Sequence, residues 1–185
     1  MLSADDLACR RGERLVFAGL SFALGPGEAL VLRGPNGSGK SSLLRLLAGL
    51  LRREAGSLRW QGQDVDADRE AWRAAFAFAG HADGIKPPLT VRENVAFWAE
   101  MAGSGTDRVA EALERFAITP LAEVPVRFLS AGQKRRTGLA RLVAAPRTIW
   151  LLDEPSVGLD AAATTSLAAL MAEHRAGGGM IIAAT

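Results

Sequence analysis

The sequence predicts an α/β fold: a mostly parallel sheet flanked by helices. Three observations carry that reading. The runs Ala29-Leu30-Val31-Leu32 and Ile149-Trp150-Leu151-Leu152 are apolar and strand-sized, and they end beside glycine or acidic residues, as buried strands do. Segments with apolar residues at helical spacing separate such runs, and strands alternating with helices build parallel sheets. The passage from the first run into a helix is rich in glycine, and it lies at the carboxyl end of a strand, where open sheets bind ligands.

The elements follow in order. Residues 15–33 read as short strands broken by the turn Gly25-Pro26-Gly27, the last of them, 28–33, running into the glycine-rich loop. A helix is predicted over about 40–48, with Gly49 placed to cap its end. Residues 56–60 read as a strand, 69–75 as a short helix and 76–80 as a strand leading into a loop with Pro87-Pro88. Thr90 with Glu93 is a capping box that opens a helix to about Met101. A second helix over about 106–117 puts Val109, Leu113 and Phe116 on one face. Ser130 starts another, ending near Pro146, and a strand over 148–152 follows. A helix over about 161–176, glycines 177–179 and a strand into Thr185 complete the chain. Residues 1–185 read as one domain, in which about 69–128 is a more helical subdomain, with no repeats or low-complexity linker.

Composition narrows the function classes. Apolar residues at 49% and charged residues at 23% exclude a disordered chain. The net charge of +2, with basic residues scattered apart from pairs such as Arg10-Arg11, Arg52-Arg53 and Arg135-Arg136, argues against nucleic acid as a partner. The one cysteine, Cys9, cannot form an internal disulfide and reads as a semi-buried structural thiol. No apolar run reaches bilayer-spanning length, and Met1-Leu2-Ser3-Ala4-Asp5-Asp6 lacks the apolar core of a signal peptide. Membrane association is therefore expected through another protein.

The chemistry begins at Gly34-Pro35-Asn36-Gly37-Ser38-Gly39-Lys40-Ser41, followed by Ser42, which fits the phosphate-loop pattern G-x-x-x-x-G-K-[ST]. Glycines let backbone N–H groups turn inward around phosphate oxygens, and the next helix offers the positive end of its dipole. Lys40 can reach the outer phosphates and the Ser41 hydroxyl can ligate Mg²⁺. A purely structural turn is the plain alternative, but the strand before and the helix after are what a phosphate site needs. The second half of such a site is an apolar strand ending in acid, which Ile149 to Glu154 supplies. Asp153 is expected to hold Mg²⁺ through its waters, and Glu154 to act as general base on the attacking water. Capping of the next helix is the competing reading of these two acids.

Leu129-Ser130-Ala131-Gly132-Gln133, followed by Lys134-Arg135-Arg136, resembles the LSGGQ signature of ABC ATPases. Ser130 and Gln133 also form a capping box, so the motif marks a helix N-terminus. Val157-Gly158-Leu159-Asp160 resembles the loop that follows in that family, in which Asp160 meets the partner subunit. The resemblance covers essentially the whole chain. It implies a P-loop NTPase of the ABC ATPase fold, with a mostly parallel sheet flanked by helices, a helical subdomain and an N-terminal antiparallel strand region. It also implies ATP and Mg²⁺ as ligands, ATP hydrolysis, and a dimer in which the phosphate loop of one subunit and Ser130, Ala131, Gly132 and Gln133 of another enclose each ATP. One copy of every motif makes the second nucleotide-binding subunit another chain, a homodimer in the simplest case.

The run Gly80-His81-Ala82-Asp83-Gly84-Ile85-Lys86, then Leu89-Thr90, Glu93-Asn94-Val95 and Trp60-Gln61-Gly62-Gln63, with the alanine in the signature, is similar to the haem-exporter ATPases of cytochrome c maturation, the CcmA type. That likeness implies a peripheral subunit on the cytoplasmic face of the bacterial inner membrane, docked on an integral membrane permease for haem export. The ATPase of another ABC exporter is one alternative. A dimerising, ATP-dependent binding module without efficient turnover is the other; Ala82 and the ending at Thr185 favour it, and Glu154 opposes it. Family members of repair or translation carry long coiled-coil insertions or two cassettes per chain, and neither pattern is present.

Three departures bear on activity. The family's lid-loop glutamine falls at Ala82, whose methyl group cannot ligate a metal, and the adjacent His81 reads as a loop histidine. The aromatic residue that stacks on adenine falls near Arg11, and the chain has no tyrosine. A guanidinium can stack on a base, and surface solvation is an equal reading of Arg11. Thr185 ends the sequence where the family continues into a switch histidine, so the resemblance implies C-terminal truncation. His174 lies on a helix and reads as solvated.

Overall fold

A computed structural model describes residues 1–185, which fall into two compact units. The first comprises Met1–Phe78, Thr148–Glu154 and His174–Thr185. Strands β1 (Leu2–Arg11) and β2 (Arg14–Leu24) pair antiparallel across a two-residue turn. Gly12 in that turn has a φ of 57°, the left-handed backbone that tight hairpins demand. With β4 (Arg53–Trp60) and β5 (Gln63–Asp64) they form an antiparallel sheet in the order β2-β1-β4-β5. The sequence reading missed β1 and β5 and began β4 three residues late. The cause is a bulge: the β1 register shifts between Ala4 and Leu7, so its buried residues do not alternate. Asp6 takes a φ of 50° there, and a Cβ at Gly56 of β4 would lie 2.4 Å from its carbonyl oxygen, so only glycine fits opposite.

A second sheet has the order β3-β8-β7-β6, from β3 (Ala29–Leu32), β6 (Phe76–Ala79), β7 (Ile149–Asp153) and β8 (Met180–Ala184). Strand β8 runs parallel to both β3 and β7. Every residue of β7 and β8 is buried, which explains their unbroken apolar runs. Helix α1 (Lys40–Leu47) packs Leu43, Leu44, Leu46 and Leu47 into the core with Ile149, Leu151 and Ile182, each leucine contributing about 1.5–3 kcal/mol. Helix α2 (Arg69–Ala75), capped by Asp68, seats Trp72 between Trp60 and Phe76, and its indole N–H donates to the Leu47 carbonyl at 2.9 Å. Cys9 is fully buried, and burial pushes its thiol pKa up. His174 is not solvated as its sequence suggested: it is half-buried and stacks on Trp150 with centroids 4.0 Å apart. Gly179 makes room, because a Cβ there would lie 2.3 Å from the imidazole.

The second unit comprises Ala79–Arg147 and Pro155–Glu173. Helix α3 (Val91–Met101) begins with the capping box of Thr90 and Glu93. Helix α4 (Val109–Arg115) is shorter than its periodicity suggests, yet Val109, Leu113 and Phe116 are all buried. Helices α5 (Ala131–Ala144) and α6 (Ala161–Ala176) complete the set. Residues 80–89 are tied down from several sides. Arg135 donates to the Gly80 carbonyl at 2.8 Å and to Asp83 Oδ1 at 3.1 Å. Arg141 donates to the Asp83 carbonyl and lies over the Trp98 ring, while the Trp98 indole N–H donates to the Gly84 carbonyl. Burial lowers the Arg141 pKa to about 10, so it stays charged at neutral pH. The Asn94 side chain accepts from the Lys86 N–H and donates to the carbonyls of Lys86, Leu89 and Thr90. No helix is long and apolar enough to cross a membrane.

Candidate functional site

The parallel register assembles the site in the first unit. Leu32 and Asp153 both pair with Ala184, so the ends of β3 and β7 flank the end of β8. The loop after β3 therefore opens beside Asp153. Gly34, Gly37 and Gly39 have φ of 151°, 82° and 102°, backbone that side chains resist. A Cβ at Gly39 would also lie 2.9 Å from Val16 Cγ1, so strand β2 backs the loop closely. Gly39 is the N-cap of α1, with no side-chain cap and no acid in the first turn, which leaves the positive helix end unmasked.

Lys40 bends back over the loop, its ammonium donating to the carbonyls of Gly34 at 2.6 Å and Pro35 at 3.3 Å. The Ser41 hydroxyl donates to Asp153 Oδ1 at 2.9 Å, and Asp153 is 3% exposed. Glu154 follows β7 with a φ of 47°, strained for a carboxylate residue, while its N–H donates to the Ala184 carbonyl at 3.1 Å. A cavity of about 650 Å³ joins these groups, lined by Asn36 to Ser42, Arg45 and Glu154, with Arg11, Gly12, Arg14 and Val16. The sequence reading missed Arg14, Val16 and Arg45. Alternation along β2 was the available signal, since Arg14 and Val16 share a face.

The signature lies in the second unit. Ser130 caps α5: its hydroxyl accepts from the Gln133 N–H at 3.3 Å, and Gln133 Oε1 accepts from the Ser130 N–H at 2.9 Å. Ala131 is exposed at the first helical position, where a methyl group fits. A Cβ at Gly132 would lie 3.0 Å from the Gly158 carbonyl, so a side chain there would press on that backbone, whereas Ala131 points at open surface. Asp160 caps α6, accepting from the Ala163 N–H at 2.8 Å. His81 is exposed and Ala82 lies in the tethered loop, where Asp83 is the residue held by Arg135.

A family model described as ABC transporter matches residues 17–157. The chain belongs to the ABC transporter family. A Rhodospirillum rubrum protein named cytochrome c biogenesis ATP-binding export protein CcmA is 60% identical over 185 residues, 100% of this chain and 79% of the relative. A protein of the same name from Paramagnetospirillum magneticum is 54% identical over 187 residues, 99% of this chain and 86% of its own. A solved ATP binding subunit of an ABC transporter superposes with a TM-score of 0.88 at 25% identity, covering 100% of this chain and 79% of that one. An ATP-binding cassette solved as a dimer in a post-hydrolysis state, bound to ADP and Pi, shares the fold with a TM-score of 0.86 at 22% identity, over 100% and 88% of the two chains. The chain thus has the ABC ATPase fold, and its activity is that of the family: ATP binding and hydrolysis coupled to transport.

Proposed function

We propose that this ABC ATPase drives an export complex of cytochrome c biogenesis, with haem as the cargo. The 60% identity to a relative so named, along the whole chain, supports the cargo. The Ser41–Asp153 hydrogen bond carries the site, because it joins the phosphate loop to the acidic strand end within one unit. Residues 1–185 act as one ATP-binding domain. The subunit pairs with a second copy and docks on an integral membrane permease at the cytoplasmic face of the inner membrane.

The chemistry follows from the residues. Backbone N–H groups of Gly34 to Ser42 cradle the phosphates at the open end of α1. Lys40 exchanges its two carbonyl partners for the outer phosphate oxygens, a charge-assisted contact. Ser41 and Asp153 offer one hydroxyl and one carboxylate, which suits Mg²⁺ because that ion keeps waters and phosphate oxygens in its shell. Held by Ser41 and Asp153, Mg²⁺ would supply positive charge to offset that of the transferred phosphoryl group. Glu154 accepts the proton of the attacking water, and its strained backbone is the kind that persists where a reactive group must be aimed. Ser130, Ala131, Gly132 and Gln133 close on the nucleotide held by the partner, and Asp160 stands at the dimer contact.

Glu154→Gln tests both halves. Purified protein retains MgATP binding while phosphate release falls about a hundred- to a thousand-fold. In cells the same substitution abolishes haem attachment to c-type cytochromes. Normal phosphate release would refute the role of Glu154, and normal c-type cytochromes beside lost turnover would refute the cargo.

A further inference from the structure

We propose that Asn36-Gly37 is a self-modifying site: without nucleotide, Asn36 deamidates to aspartate or isoaspartate and the loop loses its hold on phosphate. That functional loss rests on reading the loop as the nucleotide site, whereas the deamidation rests on the loop alone.

The chain has two asparagines, Asn36 and Asn94, in opposite settings. Asn94 is 2% exposed, precedes the β-branched Val95, and its side chain makes four hydrogen bonds. Asn36 is exposed, precedes Gly37, and its side chain makes no hydrogen bond within the protein. The Ser38 N–H donates to the Pro35 carbonyl at 3.2 Å, which sets Asn36 and Gly37 at the middle of a turn. The Gly37 N–H has no partner in the chain. Gly37 has a φ of 82°, and a Cβ there would meet nothing within 4 Å. The approach to its nitrogen is therefore open, and glycine rotates about its own bonds at little steric cost.

The reaction needs only water. The Gly37 nitrogen attacks Cγ of the Asn36 side chain and gives up its proton, while the amide C–N bond breaks and ammonia leaves. The five-membered succinimide then opens by adding water at either carbonyl, giving aspartate or isoaspartate, with nothing oxidised or reduced. Asparagine is thermolabile for this reason. Two other pairs show what stops the reaction. Gln61-Gly62 has to close a six-membered ring, which forms more slowly. Asp83-Gly84 has the right ring size, but Arg135 and Arg141 hold Asp83, and Trp98 holds the Gly84 carbonyl.

Either product puts a carboxylate in the wall of the cavity that Lys40 and Ser41 also line. A negative charge there opposes phosphate. Bound phosphate protects in turn, because a Gly37 N–H donating to a phosphate oxygen keeps the proton that the attack must release.

The test incubates the full chain in warm, mildly alkaline buffer, with and without Mg²⁺ and a non-hydrolysable ATP analogue. Peptide mass spectrometry follows amide loss; trypsin releases residues 34–40 separately from the peptide carrying Asn94, which serves as internal standard. Without nucleotide, Asn36 is expected to lose its amide while Asn94 keeps it. At about nine-tenths occupancy by the analogue, measured by calorimetry on the fresh protein, the Asn36 rate should fall about tenfold. Asn36→Asp, which carries the new charge from the start, should bind the analogue about tenfold more weakly. An Asn36 that stays amidated as long as Asn94, an equal rate with and without bound analogue, or wild-type affinity in Asn36→Asp overturns the proposal. An analogue that fails to bind the fresh protein defeats the nucleotide site itself, and amide loss at Asn36 then still supports the modification.

Discussion

Helices α1 and α5 both begin at sites read as phosphate contacts, yet their first turns are built differently. Helix α1 starts from Gly39 in left-handed backbone, uncapped by any side chain. Helix α5 starts from a closed capping box in which Ser130 and Gln133 satisfy each other's backbone N–H. Helix α3 goes further and adds the carboxylate of Glu93 to its cap, which repels anions. An uncapped turn in a glycine loop can hold phosphate by itself. A capped turn has already spent part of its donors, so its pull on an anion is weaker and suits a nucleotide held by another subunit. The first turn of α1 thus leaves its backbone donors without a side-chain cap, and the first turn of α5 commits two of its own to a capping box.

The largest expected effect falls on the uncapped end. Gly39→Val forces a branched side chain into a φ of 102° and against Val16. It should cost about 3 kcal/mol of stability and abolish MgATP binding, read by thermal unfolding and calorimetry. Native stability with intact binding would mean the loop is not held as described.

In the second unit the expected loss is of stability alone. Arg135→Ala strands Asp83, whose side chain is 21% exposed, and should destabilise by about 2–3 kcal/mol. Asp83→Ala in the same chain should return part of that loss. Additive losses would show that the pair does not couple.

Residues whose environment is local were legible in the sequence, and those defined by distant partners were not. The glycine-rich turn before α1 could be read because Gly34, Gly37 and Gly39 each take left-handed backbone within one eight-residue motif. The capping boxes of α3 and α5 are complete within four. Strand β1 escaped because a bulge at Asp5-Asp6 breaks its alternation. The anchoring of residues 80–89 joins Asp83 to Arg135, 52 positions apart, and no local pattern marks it. His174 looked solvated because only the return of the chain at Gly179 places its ring on Trp150.

A smaller effect follows from that stack. Burial lowers the His174 pKa below the 6.5 of an unfolded chain, with hydrogen bonding to the backbone opposing it. Between the folded and unfolded values the unfolded state binds more protons, so stability should fall as pH drops below about 6.5. The loss should be smaller in His174→Phe, which keeps a ring on Trp150 and cannot titrate. Identical pH profiles of unfolding midpoint in the two proteins would remove His174 from the account.

The contrast between the two helix ends is tested most directly by calorimetric titration of MgATP into dilute, monomeric Lys40→Ala and Ser130→Ala. Lys40→Ala should weaken binding about a hundredfold, the worth of a charged contact to phosphate. Ser130→Ala should cost about 1 kcal/mol of stability through its lost cap and leave monomer affinity unchanged. Equal losses of affinity in the two variants, or wild-type affinity in Lys40→Ala, would contradict the division between a loop that holds the nucleotide and a signature that meets it from another subunit.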